Sequence, residues 1–144
     1  MLRLLSIFIA SSLLLNGCSL FNFFGNKTQT PNPTATASNS EMLTIANAKD
    51  GLITFGTVNL ESPGYLVVYN DNGQGQPGKS AGLTRLLPAG NSAGIAASVS
   101  GYEVGKKYIA LVHYDKNNDL KFILSEDPPA LKNGQLIQAS VTAE

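Results

Sequence analysis

The chain has 144 residues, with ten Lys plus Arg against ten Asp plus Glu, one His and one Cys. That length holds one domain, and the balanced charge offers no electrostatic footprint for a phosphate backbone, so nucleic acid is not expected as a partner. A single cysteine excludes an intramolecular disulfide and every cysteine-cluster metal site.

In chain order, Arg3 precedes an apolar run from Leu4 to Leu15. A short positive region ahead of roughly 7–15 apolar residues is the pattern of a secretory signal. The run falls short of the about 20 residues that a bilayer crossing needs. It ends in Leu15-Asn16-Gly17-Cys18. This tetrapeptide resembles the lipobox of bacterial lipoproteins: Leu15, the small Gly17 and Cys18 fit the pattern, while Asn16 is a less usual occupant. The resemblance implies cleavage before Cys18 and a diacylglycerol on its thiol. Buried lipid contributes about 0.8 kcal/mol per CH₂, and stable anchoring takes more than one chain, which a lipobox implies. Ser19 resembles a signal for the outer membrane in bacteria with two membranes, so the expected location is an outer-membrane, periplasmic or cell-surface face. The competing readings are plain secretion and an uncleaved anchor from Leu4 to Phe24, since Leu20, Phe21, Phe23 and Phe24 continue the apolar character. The position of the sole cysteine, at the end of the apolar core, favours the lipid anchor. Residues 1–17 are thus expected to be a signal, and their removal takes away only Arg3, leaving nine positive charges against ten negative.

Residues 18–42 hold the lipidated cysteine and a tether. From Gly25 to Ser40 the chain is rich in Thr, Ser, Asn and Pro without apolar periodicity, so it lacks the surface to build a core. A flexible segment of that length spans roughly 20–25 Å.

From Leu43 to Glu144 the sequence is strand-like. Short β-branched and aromatic runs are punctuated by Gly, Pro, Asn and Asp at intervals of about 8–12 residues, the signature of an all-β sandwich or barrel. The expected strands are Leu43–Ala48, Leu52–Leu60, Tyr65–Asn70, Leu83–Leu87, Gly94–Ser100, Lys107–Tyr114, Lys121–Ser125 and Leu136–Thr142. Some seven to eight short strands in this length predict an immunoglobulin- or fibronectin-like antiparallel β-sandwich. In the second strand Ile53 and Phe55 share one parity and Val58 and Leu60 the other. That switch requires an extra residue near Gly56, as in a β-bulge. The run Val104–Val112 resembles the entry to the penultimate strand of fibronectin-type domains. The resemblance makes Tyr108 a tyrosine-corner residue, against the plainer reading of a core aromatic.

Few residues carry the marks of chemistry. His113 shares strand parity with Ile109 and Leu111, which favours a buried, hydrogen-bonded histidine over a ligand or a base. A blue-copper site wants two His and a Cys, and no Gly-x-Ser-x-Gly elbow announces a nucleophile. The glycines of Asn72–Gly78 lead to no helix and lack the lysine of a phosphate loop, so they read as a flexible hairpin. The sharpest signal is Asp115–Glu126, where Asp115, Asn117, Asp119 and Glu126 occupy positions 1, 3, 5 and 12. Those are oxygen positions of a calcium loop. Leu120, at the position where such a loop has Gly, argues against it, and a β-turn built from Asn and Asp is the structural alternative.

The segments Gly64–Asp71 and Ala110–Phe122, with the acidic, Pro-containing Glu126-Asp127-Pro128-Pro129, resemble an uncharacterised extracellular β-sandwich family known only as a domain of unknown function. The resemblance runs from about Thr44 to Val141, places His113 and Asp115 in a shared motif, and brings no activity. The expectation is therefore a membrane-anchored, non-enzymatic lipoprotein with a structural or binding role and an envelope or surface protein as partner. Ca²⁺ at the 115–126 turn is its one cofactor candidate, with Asp71 joining if the hairpin loops meet. The alternative is a solute-binding lipoprotein with a cleft near His113.

Overall fold

The computed structural model describes residues 42–144. The signal, Cys18 and nearly all of the tether lie outside the described residues. The domain is all-β and antiparallel, with ten strands rather than seven or eight. These are β1 (Leu43–Lys49), β2 (Leu52–Leu60), β3 (Gly64–Asp71), β4 (Pro77–Leu83) and β5 (Gly90–Ser92), then β6 (Ala96–Ser98), β7 (Lys107–Tyr114), β8 (Leu131–Lys132), β9 (Gln135–Leu136) and β10 (Gln138–Thr142). One open sheet runs β1-β2-β5, with β6 also paired to β2, and a second runs β10-β7-β3-β4. The hairpin β8-β9 stands apart.

Alternation explains most of this. In β2, Ile53, Phe55, Val58 and Leu60 are all buried while Gly56 and Thr57 are both exposed, and the β1-β2 register shifts at this place. The parity switch at Gly56 is thereby realised. A Cβ on Gly56 would come within 2.9 Å of the Thr44 hydroxyl, which instead accepts the Thr57 N–H at 2.7 Å. The expected strand Gly94–Ser100 shrinks to β6, and an unexpected short strand, β5, precedes it; the two pair with opposite ends of β2. Between them Gly94 takes a φ of +64°.

The inner core lies between the sheets. Leu43, Ile53, Phe55, Val58 and Leu60 meet Leu66, Val68, Tyr108, Ala110 and Val112, all within 3% of full burial. Tyr108 opens β7 as a corner residue: its hydroxyl accepts the Glu103 N–H at 3.0 Å and donates to the Gly101 carbonyl at 3.4 Å. Its ring stacks on Tyr102 with centroids 5.8 Å apart.

Three further strand expectations are corrected. Leu83–Leu87 is only the exit of β4, since the chain leaves the sheet after Leu83 and Leu87 makes a lone bridge to Gly64. Residues 136–142 divide between β9 and β10, because Ile137 turns aside to donate to the Ala130 carbonyl. Lys121–Ser125 is no strand at all. Its backbone is drawn into a turn, the Ile123 N–H donating to the Asp127 carboxylate at 2.9 Å and the Asp127 N–H to the Ile123 carbonyl. The missed hairpin β8-β9 turns on Asn133-Gly134, at φ +54° and +78°. Asn-Gly is a strong short hairpin signal, because its two central residues must both adopt positive φ.

β3 and β7 pair with each other and with a further strand on each side, and they are buried on both faces. Their outward face carries Tyr65, Val67, Tyr69 and Leu111, packed under Leu86, Phe122 and Leu136. The irregular segment 115–130 therefore folds back over the outside of this sheet. Pro129 bridges His113 and the Ala130 N–H donates to Val112, so the segment is hydrogen-bonded to β7 where β10 has ended.

Candidate functional site

The residues that could carry chemistry gather where β7 ends. Register sets Tyr65 directly across from His113, and Asp115 follows two residues on with the same parity. The Asp115 N–H is held by the Pro63 carbonyl at 3.0 Å. Its carboxylate Oδ2 accepts the Leu120 N–H at 3.2 Å, Asn117 Oδ1 accepts from Asp119 at 3.2 Å, and Asp119 Oδ1 accepts from Lys121 at 2.9 Å. Each short polar side chain thus bonds a later backbone amide and wraps the chain into successive tight turns. Asn118 and Leu120 both take positive φ, +55° and +64°. For a leucine this costs about 1–3 kcal/mol. The turn that glycine usually supplies in a calcium loop is made here by Leu120, so the sequence objection to that loop does not hold for its backbone.

Beyond the turn, Glu126 and Asp127 part. Glu126 is exposed and its Oε2 accepts the Asn117 amide at 2.7 Å. Asp127 is fully buried beneath the segment. Its carbonyl accepts from His113 Nδ1 at 2.7 Å, and His113 Nε2 lies 3.1 Å from the Tyr69 hydroxyl. A carbonyl can only accept, so the His113 proton resides on Nδ1 and Nε2 accepts from Tyr69. Burial lowers the His113 pKa from 6.5, against the opposing pull of the Asp127 carbonyl and charge. Phe122 closes the site, its ring 5.2 Å from His113 edge-on and 5.5 Å from Tyr65.

Three oxygens in this region are buried without a partner: Asp115 Oδ1, Asp127 Oδ1 and the Tyr65 hydroxyl. Burial, followed by the charges of Asp115, Asp127 and Asp119, raises the Tyr65 pKa above 10.0. An unpaired buried acceptor costs about 1–3 kcal/mol, and more when charged. Among the described residues the ion pairs engage Glu103, Asp71 and Glu61, and none neutralises Asp115 or Asp127. No three described His, Cys, Asp or Glu side chains already form a group able to hold a metal ion.

The structure brings Asp115, Asn117, Asp119 and Glu126 into one turn with His113 beneath it. It does not bring Asp71. Antiparallel pairing sets Gly64 against Tyr114 and Asn70 against Tyr108, so Asp71 and Asp115 lie at opposite ends of the sheet. Asp71 is occupied locally: burial raises its pKa, but the Gly75 and Gly73 N–H groups and Lys107 outweigh that and hold it below 3.8. One cleft of about 330 Å³ borders the turn between Ser62, Tyr114, Asp115 and Asn118. Another, of about 370 Å³, lies beside Thr84, Leu87 and Ile95. His113 lines neither, being fully buried with both nitrogens bonded. Asp127 and Tyr65 were not singled out from sequence. Asp127 stands one residue beyond the twelve-residue spacing, and Tyr65 is visible only through its pairing with His113.

Fold and site together define an open antiparallel β-sandwich whose outer sheet face is roofed by an acid-bearing segment. The chain belongs to the family described as a domain of unknown function, DUF7282, whose model matches residues 41–144. No curated protein and no solved structure matches the chain.

Proposed function

We propose that the protein is an exported lipoprotein, anchored through a lipid on Cys18, that presents an immunoglobulin- or fibronectin-like sandwich outside the cytoplasm for a structural or binding role. The observation that carries this is positional. The sole cysteine closes an export-type apolar core, and the family domain starts only at residue 41. The stretch between is long enough to hold the domain off a bilayer. The sheet order β10-β7-β3-β4 against β1-β2-β5 and the Tyr108 corner support the sandwich type. Binding is favoured over catalysis because the one histidine has both nitrogens engaged, whereas a general base needs a free one within reach of substrate. The Asp115–Glu126 turn serves as a weak Ca²⁺ site, suited to compartments where calcium is millimolar. Metabolic lipid labelling of the wild type and of Cys18→Ser tests the anchor. Label on the wild type alone is the expected result, and an unlabelled wild type overturns it.

A further inference from the structure

The calcium reading above rests on a twelve-residue spacing that ends at Glu126. Resting on that reading, we propose that the acid closing the site is Asp127 instead, and that calcium bound between Asp115 and Asp127 pins the 115–130 segment onto the outer sheet face.

The directions of the side chains carry this. Glu126 points to solvent and is spent on the Asn117 amide. Asp127, its neighbour, points inward, is fully buried, and keeps Oδ1 without a partner. Asp115, 4% exposed, likewise keeps Oδ1 unpartnered, and so does the Tyr65 hydroxyl, also 4% exposed. These three oxygens, deprived of water and of donors, lie in one region, where both carboxylates act on Tyr65, and a hard cation would replace the lost hydration of the carboxylates directly. The donor set is oxygen only. His113, the one nitrogen ligand nearby, is engaged on both sides, so zinc and copper are disfavoured by ligand type. The irregular turn suits calcium, which accepts variable geometry, over magnesium, which demands a near-ideal octahedron.

With two buried acids, neutral oxygens from Asn117 or Tyr65, and water, charge count sets the affinity at the weak end, about 10⁻⁴–10⁻³ M. The ion would do more than stiffen a loop tip. Asp127 also holds the Ile123 amide through Oδ2 and His113 through its carbonyl. Fixing Asp127 to Asp115 therefore locks Phe122 over Tyr65 and His113.

The test is calorimetric titration of the full chain in detergent with CaCl₂. The wild type should bind in the stated range, Asp127→Asn should weaken binding at least about 10-fold, and Glu126→Gln should stay within about 2-fold. Asn retains an acceptor for the Ile123 amide, which favours a folded variant. A second readout needs no acid variant: Tyr65-sensitised terbium luminescence, displaced by calcium, should drop severalfold in Tyr65→Phe. Wild-type-like binding by Asp127→Asn, loss of binding in Glu126→Gln, or unchanged terbium emission in Tyr65→Phe overturns the Asp127 site while leaving a turn site standing. A wild type that binds no calcium overturns both.

Discussion

The two faces of the β10-β7-β3-β4 sheet are buried by different means. Its inner face meets another sheet through Leu66, Val68, Ala110 and Val112, and the chain around it is regularly paired. Its outer face is covered mostly by irregular chain, with Phe122 and Leu86 from that chain and Leu136 from β9 as the apolar roof. Under that roof lie His113 and Asp127, and beside them Asp115 and Tyr65, with unpaired oxygens on the last three. An apolar interface between sheets gains stability from area alone, roughly 1.5–3 kcal/mol for each fully buried aliphatic side chain. A roof over polar groups must meet their hydrogen-bonding demands one by one. The contrast teaches that the inner face makes the fold, whereas the outer face leaves buried oxygens without a partner.

Substitutions can break or sharpen that contrast. The largest effect is expected from Leu66→Ala, a fully buried inner-face residue, at about 2–5 kcal/mol of unfolding free energy in a denaturant titration. Phe122→Ala, half-buried in the roof, should cost about 1–3 kcal/mol. Hydrogen exchange should then speed up across 116–128 and leave 108–112 protected. Equal loss of protection in both stretches would mean that roof and sandwich unfold as one unit, ending the distinction.

Next is pH. His113 is held neutral by burial, its folded pKa below 6.5. Above 6.5 neither folded nor unfolded His113 is charged, and stability is complete. As pH falls below 6.5 the unfolded chain binds a proton that the folded chain resists, so stability declines by at most about 1.4 kcal/mol per pH unit. The decline ends once folded His113 is itself protonated. Urea midpoints from pH 8 to pH 5 should slope in wild type and flatten in His113→Phe. Parallel slopes would place the titration elsewhere.

The smallest effect belongs to Tyr108→Phe, which leaves the inner core filled and removes two hydrogen bonds to the upstream chain. About 1 kcal/mol is expected, read as a shift in urea midpoint. A change in the exchange of 116–128 would instead tie the corner to the roof.

Much of the sandwich was legible without coordinates. β2 and β7 fall on their expected limits, β2 because alternation between buried and exposed positions is a local property of a strand, and β7 because its apolar, aromatic run is bounded by Gly105 before it and by Asp115 and Asn117 after it. The Gly56 parity switch was readable for the same reason. Lys121–Ser125 misled because Phe122, Ile123 and Leu124 form an apolar run. Packing over Tyr65 and His113 takes Phe122 inward, while Leu124 is left 56% exposed. The turn chemistry of Asp115, Asn117 and Asp119 could be seen in their spacing, since such side chains bond amides only two to five residues away.

Which acids share a site could not be seen. Spacing treats Glu126 and Asp127 as near equivalents, and only the fold of 115–130 onto β7 turns one outward and the other inward. Spacing likewise leaves Asp71 and Asp115 free to meet, whereas antiparallel register sends them to opposite ends of the sheet. By itself the sequence determined a cysteine at the end of an apolar core, a polar stretch after it, and where most of the strands run. The tertiary structure alone decided that β3 and β7 are buried on both faces, because burial of a second face depends on contacts between residues far apart in the chain.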